Sequence, residues 1–274
     1  ASISGFFFSS SSDKKCLLVE TTADGSIVTL TLNRPERANA LDRTMMESLH
    51  QQVIQQPLKD KARVVILQSN SPKVFCAGHD LNELQTLSDE EQTELFWNSS
   101  NFMQHWQEEL AVPTICAVDG IATGAGCQWV AASDFVVSSP QASFCTPGVQ
   151  LGLFCHTPAV PLVRAIGVKR AMDMLYTGRT VSAEEAHRFG LVTRVDEHPR
   201  HAARELAQEL ASRVSQVALR MGKKTLYQQA SAPTVKDAYR IATPAMLDNL
   251  HNTHDARHGI DSFLQKKAPE WKHN

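Results

Sequence analysis

The sequence predicts an α/β protein. Short apolar strands alternate with helical stretches in its first part, glycine-rich turns stand where strand gives way to helix, and from Pro158 onward the pattern is almost wholly helical. The apolar runs at 16–20 and 26–32, separated by Ala23-Asp24-Gly25, predict an opening hairpin. After Asn33-Arg34-Pro35, Leu41, Met45, Leu49 and Val53 recur at helical spacing and predict a helix over 40–56. Residues 63–69 carry Val64, Val65, Ile66 and Leu67 in one run, as a buried parallel strand does. Asp80 followed by Glu83 resembles a capped helix start, with each carboxylate able to reach a free backbone N–H. A long polar helix is expected over 89–110. Strands are expected at 114–118 and 134–138, with Gly124-Ala125-Gly126 opening a helix between them. Gly167, Gly178 and Gly190 punctuate the helical remainder.

Hydrophobic residues make up 42% of the 274 and charged residues 20%, which suits one large core. Lys and Arg number 27 against 29 Asp and Glu, too even for a field that attracts nucleic acid or an anionic surface. No apolar run approaches the ~20 residues of a helical membrane span. None of the six cysteines (Cys16, Cys76, Cys116, Cys127, Cys145, Cys155) forms a C-x-x-C pair, so no metal site is expected. Reduced thiols acting as small buried hydrophobes are the simpler reading, and four of them lie in the segments that carry chemistry. The first residues are Ser-rich, lack acids up to Asp13 and contain Phe6–Phe8. That composition suits the end of an organellar transit peptide, a disordered stub or a cloning remnant, so residues 1–15 are set apart from a single domain over 16–274. A mitochondrial location is the expectation that follows.

Two segments stand out. Val74-Phe75-Cys76-Ala77-Gly78-His79-Asp80-Leu81 and Gly120-Ile121-Ala122-Thr123-Gly124-Ala125-Gly126-Cys127-Gln128 each place small residues between a strand and a helix. At such turns several N–H groups lack partners and the positive end of a helix dipole is exposed. Two of these N–H groups aimed at one point would form an oxyanion hole for a thioester carbonyl or enolate. Taken singly, each segment is equally a tight packing turn.

In order and spacing the two segments resemble the signature regions of the crotonase (enoyl-CoA hydratase/isomerase) superfamily. The resemblance runs from about Ile27 to Trp271. It includes Leu32-Asn33-Arg34-Pro35 with Asn39-Ala40-Leu41, then Leu162-Val163-Arg164-Ala165-Ile166-Gly167, Tyr176-Thr177-Gly178, Ser182-Ala183-Glu184-Glu185-Ala186 and Gly190-Leu191-Val192. It closes on residues 259–267. It implies a spiral of ββα repeats over 16–200, with a helical lobe at 201–274 that assembles a homotrimer or a dimer of trimers. The helices after Pro158 would contribute most of that interface, with Leu175, Leu206, Leu210 and Met246 as candidates for burial. It also implies acyl-CoA as the ligand, with no cofactor beyond the coenzyme A carried by that ligand. The oxyanion donors would be the N–H groups of His79 and Ala125, the latter standing where glycine is usual. Alanine serves if its φ is negative. Coenzyme A would lie along Arg37, Ala38, Ala77, Asp80 and Leu81, and meet Lys266 and Lys267 of a neighbouring subunit. The two lysines equally suit a helix C-terminus.

The acid/base residues depart from the pattern. The positions of the two hydratase glutamates hold Gln128 and Gly148, and neither side chain can give or take a proton near neutrality. General acid–base catalysis is worth ~10²–10⁴-fold, so ordinary hydration should nearly vanish. His156 stands eight residues after Gly148, where some relatives carry a working aspartate. It is either a base or a histidine hydrogen-bonded at a helix start. The side chain of His79 is not required by its expected backbone role. Two readings therefore stay open: a catalytically silent acyl-CoA binder, and an isomerase, decarboxylase or thioester hydrolase using His156. RNA binding would ask for a lysine-rich helix, and the helices expected over 40–56 and 89–110 carry no basic stripe.

Overall fold

The structure is a computed structural model that describes residues 15–55 and 61–273. The leader expected over 1–15 lies outside the described residues, apart from Lys15. The opening hairpin is formed by β1 (Leu17–Thr21) and β2 (Ile27–Leu32), antiparallel with Leu17 opposite Leu32. At its turn the Asp24 carboxylate accepts from the Thr22 and Ser26 hydroxyls and the Ser26 N–H, which holds its pKa down to about 2.

Helix α1 spans Arg43–His50 and continues as a wide turn over Gln51–Gln55. It starts three residues later than its apolar spacing predicts. Leu41 is instead paired with the backbone around His79, and Asp42 caps the helix by accepting from the Met45 N–H. Strands β3 (Val64–Ser69) and β4 (Val74–Cys76) precede the one-turn helix α2 (Leu81–Leu84). Of the capping pair expected there only half forms. Asp80 accepts from the Asn82 and Glu83 N–H groups, while the Glu83 carboxylate turns to the Arg43 N–H at 3.0 Å. The reciprocal box lies one element later, between Ser88 and Glu91 at the start of α3 (Asp89–Gln104). The helix expected through 110 widens at His105–Glu109.

Next come β5 (Thr114–Val118), β6 (Ile121–Thr123) and α4 (Ala125–Ala132), then β7 (Phe135–Ser138), β8 (Ser143–Cys145) and α5 (His156–Thr177), which breaks at Gly167. Strand β9 (Val181–Ser182), α6 (Ala183–Phe189), β10 (Arg194–Val195) and α7 (Pro199–Ser212) follow. The chain ends in α8 (Gln216–Ala230), α9 (Val235–Asn252) and α10 (His254–Leu264). One sheet runs β1-β2-β3-β5-β7-β10 and the other β4-β6-β8-β9. Successive pairs β3/β4, β5/β6 and β7/β8 therefore give one strand to each sheet before a helix returns the chain, which winds it as a spiral.

Strands β3 and β5 are buried on both faces, which is why they read as unbroken apolar runs. Val65 and Leu67 face the main core, where Trp106, Trp129 and Phe102 lock α3 and the turn after it against α4. Val64, Ile66, Ile115 and Ala117 face α7, whose Ala202, Ala203, Ala207 and Ala211 let it lie close to the sheet. Leu206 and Leu210 pack partly buried on that same face, and Leu175 belongs to the main core. Of the four residues considered for subunit burial, only Met246 is exposed, at 61%. No helix among the described residues is long and apolar enough to cross a membrane.

Helix α8 is fastened to the sheet by a buried ionic cluster. The Asp134 carboxylate accepts from Lys223 Nζ at 2.7 Å, the Tyr227 hydroxyl at 3.0 Å and both the N–H and hydroxyl of Thr114. Burial lowers the Lys223 pKa, and Asp134 opposes that shift. Removing the shared acceptor strands a buried ammonium, a loss of about 3–5 kcal/mol. Asp134→Ala should therefore lower the urea midpoint much more than Lys223→Met, which leaves the carboxylate its other donors. Equal effects of the two substitutions would contradict this assignment.

Candidate functional site

Both glycine-rich segments end at strand-to-helix turns, and the turns abut. In the first, the Ala77 N–H donates to the Ala38 carbonyl at 3.0 Å, and Gly78 turns the chain at φ +87°. The Leu41 N–H then donates to Gly78 O at 2.7 Å, and the Asp80 N–H to Leu41 O at 3.1 Å. In a parallel bridge of this kind Leu41 bonds the residues on either side of His79. The N–H of His79 itself is left facing the opposite side, with no acceptor among the described residues.

In the second turn, Gly124 (φ +55°) donates its N–H to Cys145 O at 3.0 Å and passes the chain into α4. Ala125 is the first helical residue and lies outside the left-handed region, so alanine costs no strain there. Its N–H is among those that a helix start leaves without an internal partner. A Cβ on Gly78 would stand 3.2 Å from Ala125 N, and one on Gly126 only 2.3 Å from Cys76 O. The two free N–H groups thus sit on touching turns, one of them at the positive end of α4. Such a pair can hold one oxygen that carries partial negative charge.

A loop from β2 forms one wall. Ala38 and Asn39 both adopt left-handed backbone (φ 52° and 51°). Buried Asn39 anchors them: its Nδ2 reaches Ser69 Oγ at 2.7 Å and the Val74 and Phe75 carbonyls at 3.3 Å, and its Oδ1 accepts from the Arg34 N–H. The Arg34 guanidinium ties Ala40 O, Asp42 and Asp80 together. Arg37, Ala38, Ala77, Asp80 and Leu81 are thereby gathered on neighbouring backbone. Asp80 is held below the usual carboxylate range, its burial outweighed by the Glu83 and Asn82 N–H groups and Arg34. Lys266 and Lys267 lie elsewhere, exposed beyond α10, with Lys267 Nζ bonded to Gln265 Oε1. Arg34 and Asn39 stand in a segment that carries the sequence resemblance, but their side-chain roles in holding this wall depend on partners far along the chain, Ser69, Val74 and Asp80.

Gln128 lies one turn into α4 as a buried residue, and its amide atoms are not among the sealed, unpartnered polar atoms of the described residues. Gly148 sits in a short 3-10 turn, Pro147–Leu151, where a Cβ would meet Cys155 Sγ at 2.9 Å and Cys155 N at 3.1 Å. The space a longer side chain needs is thus occupied by Cys155. Burial pushes the thiols of Cys76 and Cys116 up to about 12 and raises those of Cys127 and Cys155 as well, so all four stay protonated. His156 opens α5 exposed to solvent, its Nδ1–H donating to Phe154 O at 2.9 Å. The His79 ring is edge-on to Phe96 at 5.0 Å, and burial drives its pKa down to about 4, only partly offset by the Leu41 carbonyl. The ring is neutral at pH 7.

Two outcomes follow. Gly126→Ala should destabilise the fold and remove any ligand binding at the paired N–H groups, whereas Ala125→Gly should preserve both; tolerance of Gly126→Ala in a melting assay would refute the close approach. The His79 ring titrates near 6.5 when unfolded and about 4 when folded, so the folded state binds fewer protons between those values. Its contribution is intact above about 6.5 and is lost as pH falls toward 4. His79→Gln should flatten that decline in pH-dependent denaturation, leaving the part due to His273, which burial, Arg63 and Arg220 also depress. An unchanged slope would show that the ring is not buried.

With this geometry in place, comparison with known proteins gives a consistent picture. Residues 22–274 match the family model described as enoyl-CoA hydratase/isomerase. The rat protein named enoyl-CoA hydratase domain-containing protein 3, mitochondrial, is 39% identical over 93% of this chain and 85% of its own length. The crystal structure of the human protein of that name superposes with a TM-score of 0.85 at 37% identity, covering 93% of this chain and all of the other. An enoyl-CoA hydratase from Mycobacterium smegmatis gives a TM-score of 0.88 at 37% identity over 94% and 99%. The chain has the crotonase fold and belongs to the enoyl-CoA hydratase/isomerase family.

Proposed function

We propose that this protein binds acyl-CoA thioesters in mitochondrial lipid metabolism and does not catalyse ordinary enoyl-CoA hydration. The observation that carries the reading is the pair of free N–H groups, His79 and Ala125, on abutting turns. They would hold the thioester carbonyl, with the coenzyme A running along Arg37, Ala38, Ala77, Asp80 and Leu81 and its phosphates meeting Lys266 and Lys267 of a neighbouring subunit. Gln128 and Gly148 stand at the two glutamate positions of the family pattern, and Cys155 fills the room beside Gly148. No carboxylate is then available there to activate water or protonate Cα. The mitochondrial naming of the relatives and the Ser-rich start of the chain support a matrix location. Calorimetry with acetyl-, crotonyl- and longer acyl-CoA should show saturable binding, and Ala125→Pro, which deletes one donor, should weaken it. Well-folded protein that binds none of them would refute the proposal. Crotonyl-CoA hydration, followed by loss of enoyl absorbance, should fall at least ~10²–10⁴-fold below an ordinary hydratase.

The alternative, an isomerase, decarboxylase or thioester hydrolase with His156 as base, requires that ring to leave Phe154 O and turn from solvent toward the turns. If activity is found, loss of at least ~10²-fold in His156→Ala with unchanged thioester affinity would favour it.

The same proposal includes assembly as a homotrimer or dimer of trimers. Leu226, Met246, Leu250, Phe263 and Leu264 are exposed and line one apolar groove among α8, α9 and α10. A contiguous surface of this kind calls for a cover, and a second copy of the chain supplies one. Light scattering should give three or six times the 30.3 kDa chain mass. A monomer at micromolar concentration would contradict it.

A further inference from the structure

After α10 the chain turns back, and residues 270–273 dock across the ends of α7, α8 and α10. The Trp271 indole packs on Gly259, where a Cβ would stand 3.1 Å from the ring, and its Nε1–H donates to the Arg213 carbonyl at 2.8 Å. Trp271 thereby forms part of the wall of the apolar groove among α8, α9 and α10. The Lys272 and His273 N–H groups donate to the buried Asp255 carboxylate at 2.9 and 3.0 Å. Two further backbone bonds end on histidine rings. The Glu270 N–H donates to His258 Nε2 at 3.0 Å, and the Gln216 N–H donates to His273 Nδ1 at 3.3 Å. A backbone N–H only donates, so each of these ring nitrogens must carry a lone pair, and an imidazolium has none to offer. Both rings are therefore neutral while the segment is docked.

We propose that residues 270–273 are a pH-operated clasp, closed while His258 and His273 are neutral and opened by their protonation, which takes Trp271 out of the groove wall. Protonation sets one N–H against another at both places, and each backbone donor loses its acceptor. Around His273, burial and the guanidinium groups of Arg63 and Arg220 disfavour a positive charge, and Asp255 opposes them only in part. His254 stacks on His258 at 5.7 Å, and its Nδ1 stands 3.6 Å from Asp255 Oδ1. A proton on His254 would tighten its contact with Asp255 and repel a proton on His258. Asp255 itself is held below the usual carboxylate range, its burial outweighed by the Ser215 hydroxyl and the Lys272 and His273 N–H groups. It stays a fixed anchor while the histidines titrate. A docked state that excludes two protons weakens as pH falls below about 6.5, the value of a free histidine, by roughly 10-fold per ring for each pH unit. The clasp stands whether or not a second copy of the chain fills the groove.

Hydrogen–deuterium exchange of the full chain, read by mass spectrometry on the C-terminal peptide and corrected for the intrinsic rate at each pH, tests this. Protection of that peptide should fall by roughly 10²-fold between pH 7.5 and 5.5, while peptides from β3 and β5 keep theirs. In the double variant His258→Gln with His273→Asn, amide oxygens stand near the two lost ring nitrogens and accept at any pH, so protection should stay level. Wild-type protection that is absent at pH 7.5, or does not change with pH, overturns the proposal. So does a fall in the double variant equal to that of the wild type. If the double variant does not dock at pH 7.5, His258→Gln alone decides: it should lose roughly 10-fold over the same range, and the full wild-type loss would overturn the role of that ring.

Discussion

The candidate site depends on a close approach of two backbones that admits no side chain between them. Gly126 lies against the carbonyl of Cys76, where a Cβ would come within 2.3 Å of the oxygen. That contact seats the first turn of α4 on the end of β4 and so brings Ala125 beside Gly78 and His79. Real Cβ atoms do not stand so close to an oxygen, so a methyl group here would push the turns apart. The N–H groups could then no longer converge on one atom. Electrostatic stabilisation of this type relies on donors fixed before the ligand arrives. The glycine therefore matters for the distance between two donors rather than for its own flexibility.

Other features hold that approach in place from both sides. Asn39 fastens the β2 loop to the β3–β4 turn, and Leu41 continues inward to bridge the backbone at His79. Behind α4, Trp129 packs against Phe102 and Trp106, so the helix that carries Ala125 and Gln128 is wedged into the main core. The rigidity of the donors is thus distributed over the spiral. A cavity cut under Trp129 would be felt at the turn although that side chain is buried in the main core.

The strands and the two turns were legible because their causes are local. Val64–Leu67 and Ile115–Val118 are apolar without alternation since both faces of those strands are covered. The glycines of the turns mark positive φ or missing space. What sequence pattern could not show depends on partners far along the chain. Leu41 continues the helical stripe of Met45, Leu49 and Val53, and periodicity cannot tell that it is paired with a residue 38 positions away. Glu83 completes a capping pattern by spacing, yet Arg43 offers it a better donor. Cys155 carries no signal that it fills the space beside Gly148. Burial of the His79 ring is likewise set by Phe96, which lies on a helix of its own.

If the central claim holds, a bound thioester places its carbonyl oxygen between the N–H groups of His79 and Ala125. The most direct measurement is isotope-edited infrared spectroscopy of an acyl-CoA carrying carbon-13 at the thioester carbonyl. Two fixed donors should polarise the C=O bond and move its stretch to lower frequency on binding than in water. A stretch that stays at its aqueous position, or moves higher, in saturated protein would show that the carbonyl lies elsewhere.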